Sequence, residues 1–403
     1  MKKSINLILI LYFFLLLGFL LNSDPNGGAF LDYQNHLRVI NDFKENFFST
    51  FFNYDDYKTR HSPVVYIFIS FLYKLNISDQ LIRIFFLHIF LFLPIIFYKC
   101  LSTKYQNIDR QNLILFSGLL LLSPTFWSLS IWPDSRLIGL ALFCLSIYYF
   151  LNFKKKKNFK NCINCILSYT AASYLSPNFA VFSIFYFYFF FSEYKFSKKL
   201  LYIILINIFL ALPAFLYLFS LENIFLFNSA APGSSMKIDH FNYSNKILII
   251  STIILFYILP FLLVKSFKIS YFDFKILIIV LLSSILLIPK FNYDFNLTGG
   301  GIFFQISNSF FGNNYFFFII CILSLFVILN ILKINKINLL IIFLLLLSNP
   351  QYTIYHKYYD PLMLILFTLL FELKINEKKV FNYRSILVFY LYNASFLIMN
   401  FIK

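Results

Sequence analysis

The sequence predicts an all-α polytopic membrane protein with about thirteen transmembrane helices and an amphipathic, interfacial helical segment in its first outer loop. The chain of 403 residues is 60% hydrophobic and only 13% charged, whereas a soluble domain is about half apolar and about a quarter charged. Long apolar runs also recur along its whole length. A soluble fold could not hide that much apolar surface from water, so the composition indicates an integral membrane protein.

The net charge of +17 would indicate a nucleic-acid partner in a soluble protein. In a membrane protein, however, Lys and Arg collect in cytoplasmic loops. Here most of the cations fall on one side of the predicted membrane, and most of the acidic residues fall on the other. We therefore expect membrane lipids as partners and no nucleic acid.

The apolar runs give the helices in order. The first follows Lys2 and Lys3, is longer than a signal-peptide core and has no small-residue cleavage site after it, so we expect it to be an anchor with a cytoplasmic N-terminus. The predicted spans are 5–22, 81–98, 112–131, 136–153, 161–174, 178–192, 200–220, 247–264, 276–289, 315–332, 338–349, 361–373 and 386–402.

One further apolar run, 63–75, is too short to span. As a helix it would be about 20 Å long, against a hydrocarbon core of about 30 Å. If it lies at the interface instead, the four lysines Lys154–Lys157 fall in the cytoplasm, as the positive-inside rule requires. The predicted outer loops are then 23–80, 132–135, 221–246, 290–314 and 350–360.

The first outer loop, 23–80, is by far the longest. Within residues 30–48, Ile40, Phe43 and Phe47 recur at helical spacing, which predicts an amphipathic helix on the membrane surface. No linker or soluble segment interrupts the chain, so we expect one integral membrane domain over 1–403 and no separate soluble domain.

Ionisable residues concentrate in this loop. Asp32 lies near the start of the amphipathic helix, and His36 follows one turn later on the same face. A carboxylate placed there can act as a general base towards a substrate hydroxyl. The alternative is a solvated acid that favours the N-terminus of a surface helix.

Three further groups could hold an anionic substrate at the same face. Arg60 and His61 precede the short apolar helix and suit a phosphate group, although headgroup anchoring explains them equally well. Asp134 and Arg136 flank a tight outer turn, where they could orient a substrate or simply face water. Lys357 stands among tyrosines of a late outer loop and would suit a phosphate.

The order of these motifs resembles that of the GT-C glycosyltransferases, polytopic enzymes that use polyprenyl-phosphate sugars. The family includes the dolichyl-phosphate-mannose protein mannosyltransferases and the lipid A aminoarabinose transferase. The likeness is clearest over 1–190, which would form the catalytic core, while 191–403 would supply C-terminal helices and substrate-shaping loops. It is carried by the segments HSPVVYIFISFLYKL, LLLLSPTFWSLSIWPDSRLIGLALF, YLSPNFAVF and, more weakly, YHKYYDPLMLIL.

The resemblance implies that Asp32 matches the family's first-loop catalytic acid and Asp134 its second acid. Many members have Asp-Glu where this chain has Asp32 and Tyr33, and a basic residue where it has Ser62. Arg60 or His61 would then take over phosphate binding. Asp32, His36 and Asp134 could ligate a divalent ion, but members with monophosphate donors commonly need none, so we expect no metal and no other cofactor.

The sequence therefore predicts an inverting glycosyltransferase that moves a sugar from a polyprenyl-phosphate donor to a lipid, glycan or protein acceptor. Short loops favour the bacterial inner membrane, with the active site periplasmic. A transporter or flippase of lipid-linked sugars stays as the alternative, although such proteins usually carry ionisable groups within the membrane and internal repeats. A polymerase or ligase using diphosphate-linked oligosaccharides is a further enzymatic alternative.

Overall fold

The computed structural model describes residues 2–57, 59, 61–220, 242–267, 274–294 and 299–402. Throughout these ranges the regular structure is helical, and strand-like pairing is limited to two isolated bridges, Phe267 with Ile375 and Leu332 with Leu373. The predicted all-α class is confirmed.

Within the described ranges twenty α-helices follow one another, with short 3-10 or π turns between some of them. They are α1 (Lys2–Leu20), α2 (Ala29–Glu45), α3 (Phe47–Phe52), α4 (Pro63–Lys74), α5 (Asp79–Phe90), α6 (Phe92–Lys104), α7 (Arg110–Gly118), α8 (Pro124–Ile131), α9 (Ser135–Lys156), α10 (Phe159–Leu175), α11 (Ser183–Tyr194), α12 (Lys198–Phe215), α13 (Tyr243–Leu263), α14 (Phe274–Leu287), α15 (Gly301–Phe311), α16 (Tyr315–Ile331), α17 (Lys336–Ser348), α18 (Leu362–Leu369), α19 (Glu377–Val380) and α20 (Tyr383–Ile402).

Several of these helices have the length and composition of membrane spans, which agrees with a multi-pass membrane protein. Within the described ranges, five continuous helical segments are long and apolar enough to cross a bilayer. They are Asp79–Lys104, Ser135–Lys156, Lys198–Phe219, Tyr243–Leu263 and Tyr383–Ile402. A bent pair would make a sixth. The predicted number of thirteen is not confirmed, because α10, α16 and α17 are too short to meet the length required.

The bent pair corresponds to the predicted span 112–131. Its two parts, Arg110–Leu122 and Pro124–Ile131, meet at an angle of 67°. Pro124 explains the bend, because proline has no N–H to donate and pushes the preceding residue out of the helical region. Ser123 is accordingly extended (φ −72°, ψ 124°), and its hydroxyl caps α8 by accepting from the Phe126 N–H at 2.9 Å.

The chain divides into two compact units. The first comprises Met1–Asn228 and Asn393–Lys403 and contains α1 to α12. Its core lies largely between α9 and α10, which are joined by a short turn and pack along their length. Aromatic rings fill that core: Phe143 stacks on Phe179 with ring centroids 4.7 Å apart, and Tyr169 stacks on Tyr186 at 5.4 Å.

The second unit comprises Ser229–Tyr392. Helix α13 is its centre, and most of that helix is buried against α15, α16, α17 and α18. Gly300, with φ +78°, lets the chain approach residue 354 closely enough for its N–H to donate to the Ile354 carbonyl at 2.8 Å. The prediction of a single membrane domain over 1–403 stays a prediction.

The first outer loop of the sequence prediction is helical in its described part. The amphipathic segment predicted over 30–48 is α2, which ends at Glu45 and is followed by the separate short helix α3. Val39, Ile40 and Phe43 are buried on its inner face. The short apolar run predicted over 63–75 is α4, which packs on α2. Asp32 and His61 of this loop lie beside the α8–α9 turn.

Candidate active site

Helix α2 carries the first two candidate residues. Gly27 turns the chain with φ +71°, and Ala29 begins the helix. Asp32 in its first turn is half-exposed, whereas His36 one turn later is buried with 8% of its surface accessible. The two residues therefore share a helix but not an environment, since only Asp32 is open to an incoming hydroxyl.

His61 stands immediately before α4. The Tyr54 hydroxyl donates to its backbone carbonyl at 2.9 Å, and its own N–H donates to the Thr59 hydroxyl at 3.2 Å. Ser62 then caps the helix, accepting from the Val64 N–H at 3.4 Å, and Pro63 occupies the first helical position. These backbone bonds fix where α4 begins and hold the half-exposed imidazole of His61 at that point.

The imidazoles of His36 and His61 lie edge to face, with ring centroids 4.8 Å apart. Tyr66, one turn into α4, packs against His36 at the same centroid distance. Both histidines therefore sit at the α2–α4 contact, on opposite sides of it.

Asp134 is the N-cap of α9. Its backbone is extended (φ −136°, ψ 152°), and its carboxylate accepts from the Arg136 N–H at 2.7 Å. The Arg136 guanidinium folds back on the same carboxylate, with Nε 3.3 Å from Oδ1 and a terminal nitrogen 3.1 Å from Oδ2. Asp134 is 3% exposed, so its negative charge is buried, and the adjacent Arg136 guanidinium balances it.

Arg136 also connects the two carboxylates. The terminal nitrogen that contacts Asp134 lies 3.5 Å from Asp32 Oδ2. The guanidinium is thus shared between one buried acid and one half-exposed acid. The structure brings Asp32, His36, His61, Asp134 and Arg136 together, and we call these five residues the acidic–imidazole cluster.

The buried groups of the cluster titrate far from their usual values. Burial, and then the neighbouring His61, lower the pKa of His36 to about 3, so this imidazole is neutral at pH 7. Burial alone would raise the pKa of Asp134, but the Arg136 guanidinium and the imidazoles of His61 and His36 more than offset it. The pKa of Asp134 therefore lies well below its usual range, and this residue is a permanent carboxylate.

A buried arginine holds the α8–α9 turn in place. Arg83 of α5 stacks over the indole of Trp132, 3.7 Å from the ring centroid, and donates to the Ile131 carbonyl at 3.0 Å. It also donates to the Asn22 side chain at 2.8 Å. The sequence analysis missed this residue. Its signal was there, since a lone Arg inside the apolar run 81–98 is expensive unless it has partners.

An apolar cavity of about 580 Å³ opens beside the cluster, between α4, α10 and α12. Ser62 and Pro63, the two residues after His61, form part of its wall. The polar side chains that line it are mostly bonded elsewhere: the Tyr174 hydroxyl donates to the Leu210 carbonyl at 2.7 Å and the Tyr217 hydroxyl to the Phe51 carbonyl at 3.0 Å. The surface left to a ligand is therefore mainly apolar, and the volume is within the usual range of ligand sites.

Two further residues were predicted for the site. Arg60 is not among the described residues. Lys357 belongs to the second unit, in a 3-10 turn (His356–Tyr358), with its ammonium 5.2 Å from the Tyr355 ring centroid. Nearby in that unit, Tyr257 donates to the buried Asp360 at 2.9 Å and lies 3.2 Å from His356 Nε2.

The arrangement can perform acid–base and anion-binding chemistry at one place. It offers a half-exposed carboxylate, a buried carboxylate, a guanidinium and two imidazoles beside an apolar cavity. Comparison with known proteins adds nothing to this: no family model matches the chain, and no curated protein or solved structure matches it significantly. The likeness to the GT-C glycosyltransferases thus stays a prediction from the order of the sequence motifs.

Proposed function

We propose that this chain is a GT-C-type membrane glycosyltransferase, which moves a hexose or pentose from a polyprenyl-phosphate donor to an acceptor hydroxyl. One observation carries the proposal. The acidic–imidazole cluster includes His61, and the next two residues, Ser62 and Pro63, line the apolar cavity. A polyprenyl-phosphate sugar has the same two parts, a polar sugar phosphate joined directly to a long apolar chain.

The exposures of the two carboxylates suggest different roles. Asp32 is half-exposed and can accept the acceptor's hydroxyl proton. Asp134 is buried, and Arg136 already neutralises its charge, so it suits orienting a sugar rather than taking a proton. The general base is therefore Asp32, and the ion pair of Asp134 and Arg136 orients the sugar beside it.

The reaction would be a single displacement. The acceptor oxygen bonds to the anomeric carbon as its proton passes to Asp32, and the bond from that carbon to the phosphate oxygen breaks. The electron pair of that bond leaves with the polyprenyl phosphate, and the anomeric configuration inverts. Arg136, His36 and His61 would stabilise the growing phosphate charge. Phosphate binding by Arg60, which lies outside the described residues, and by Lys357 stays a prediction from the sequence.

The proposal includes a particular orientation in the membrane. The N-terminus would be cytoplasmic and the cluster would face the periplasm, in a chain of about thirteen spans whose α2 and α4 lie at the interface. The bacterial inner membrane is the expected location. The acceptor would be a lipid, a glycan or a protein.

The decisive experiment measures sugar transfer in membranes from labelled polyprenyl-phosphate donors. Wild type is compared with Asp32→Asn at matched expression, and with Glu45→Gln, an exposed carboxylate at the other end of α2. We expect transfer by wild type and Glu45→Gln, and a loss of about 100-fold or more in Asp32→Asn, since general acid–base groups contribute about 10²–10⁴-fold.

Two results would contradict this assignment. Equal transfer by wild type and Asp32→Asn would remove Asp32 from the chemistry. Movement of labelled lipid between leaflets without transfer from any donor would establish the transporter alternative instead.

A further inference from the structure

Three side chains of the acidic–imidazole cluster converge as metal ligands do. One potential ligand atom each from His36, His61 and Asp134 lies within 4.8 Å of the other two. They come from three elements: α2, the segment before α4, and the N-cap of α9. Three ligands from three separate elements leave part of the coordination sphere open, as in catalytic zinc sites.

One ligand has the kind of outer partner that metal sites use, and a second is held at its backbone. The Arg136 guanidinium fixes the orientation of the Asp134 carboxylate through contacts of 3.1 and 3.3 Å. The backbone of His61 is held through its carbonyl by the Tyr54 hydroxyl at 2.9 Å. Metal-ligating side chains are typically oriented by such hydrogen bonds, because fixed ligands bind more tightly than mobile ones.

His36 supplies an independent observation. Its Nδ1 is buried and makes no hydrogen bond within the described chain, although buried polar groups are nearly always satisfied. The residue is 8% exposed. A ring nitrogen in that position needs a partner that the described chain does not provide, and a bound cation would satisfy the imidazole.

We propose that His36, His61 and Asp134 bind a divalent cation of the zinc class, with an open coordination position for water or a substrate oxygen. Two imidazole nitrogens and one carboxylate oxygen favour zinc over magnesium or calcium, which prefer oxygen ligands. This goes beyond the sequence analysis, which expected no metal. Cation binding does not depend on the proposed transfer reaction.

The ligands must close slightly around the ion. Tetrahedral ligands at about 2.0–2.1 Å from zinc are roughly 3.4 Å apart, which is less than the 4.8 Å limit within which the three atoms lie. His36 and Asp134 are buried, whereas His61 is half-exposed and precedes α4, so His61 makes most of the adjustment. Because the backbone at residues 61–64 is held by hydrogen bonds, this adjustment is a rotation of the His61 side chain.

The first test measures zinc bound to the purified full-length protein after exhaustive dialysis against micromolar zinc. We expect one equivalent in wild type, and a loss of most of it in His36→Ala and in His61→Ala. His88→Ala is the matched control, because His88 lies on α5 and bonds to Tyr12 rather than to the cluster. Retention of a full equivalent by both cluster variants would overturn the proposal, as would no bound zinc in folded wild type.

A second variant tests the site by a new absorption band, and so does not rely on the loss of bound zinc. In His61→Cys loaded with cobalt(II), a thiolate at this position should produce a near-ultraviolet sulfur-to-cobalt charge-transfer band. Wild type provides the baseline, since its five cysteines are all buried and none is among the proposed ligands. A folded His61→Cys protein that binds cobalt without that band would show that residue 61 is not a ligand.

Discussion

At the scale of single residues, the two carboxylates of the cluster differ most in their surroundings. The side chain of Asp32 is 36% exposed and that of Asp134 is 3% exposed, yet both contact Arg136. Because Asp134 is buried, its carboxylate depends on the Arg136 guanidinium, since an unpaired buried charge destabilises the folded state. The importance of Arg136 to folding therefore follows from Asp134 and not from Asp32.

The corresponding prediction concerns Arg136→Met. It keeps most of the apolar stem but leaves Asp134 buried without its charge partner, so we expect the free energy of unfolding to fall by about 3 kcal/mol. Thermal unfolding in detergent measures this, with Arg110→Met, an exposed arginine at the start of α7, as the control.

The double variant Arg136→Met with Asp134→Asn separates charge from packing. Removing the stranded charge should restore part of the lost stability, because the two side chains are coupled. Equal midpoints for Arg136→Met and Arg110→Met would contradict the importance of the buried pair.

At the scale of elements, α5 positions the turn that carries Asp134. Arg83 stacks on Trp132 and bonds to the Ile131 carbonyl, and these are the last residues before that turn. Lysine could not replace it, since the planar guanidinium both stacks and donates in a fixed direction.

We predict that Arg83→Met frees Trp132. The chain has two tryptophans, so a Trp127→Phe background isolates the indole of interest. Without the guanidinium the Trp132 emission should shift to the red and become several-fold more accessible to acrylamide, while transfer activity falls by about 10²-fold because the turn is displaced. Arg110→Met should change neither, and an unchanged emission in Arg83→Met would show that the stacking does not hold the indole.

The sequence predicted where helices form better than it predicted where a helix is broken. Residues 63–75 were expected to form a short helix and do so, because Ser62 and Pro63 are a strong start signal. The run 112–131 was expected to be one span, but Pro124 bends it by 67°. Hydropathy averages over such a break and so cannot detect it, although the proline itself was visible.

At the scale of the whole chain, the sequence indicated candidate residues but not how they meet. Asp32 and His61 come from the first predicted outer loop and Asp134 from the next, and the first unit brings them into one cluster. Their distances depend on how α2 packs on α4 and on the α8–α9 turn, which no local pattern encodes. The partners of Arg83 were hidden for the same reason, since they come from two distant segments, the end of α1 and the α8–α9 turn.

The cavity yields a prediction about substrate size. Ala214 lines it, and Ala214→Trp should occupy much of its volume. We expect the KM for a long-chain polyprenyl-phosphate donor to rise about tenfold or more, while a donor with only two isoprene units is much less affected and kcat changes little.

Leu212→Trp is the control, since Leu212 lies on the same helix, is 46% exposed and does not line the cavity. A KM that rises equally for long and short donors, or equally in both variants, would mean that the chain of the donor binds elsewhere.

The same cavity has a practical consequence for anyone extracting the protein. A mainly apolar space of about 580 Å³ admits the alkyl tail of a common surfactant as readily as an isoprenoid chain. Surfactant is present in large excess during solubilisation, so by mass action it would occupy the space and stabilise the filled form. Preparations in straight-chain maltosides should then be stable but catalyse slowly. Exchange into lipid nanodiscs, or the use of rigid steroidal surfactants, should restore turnover.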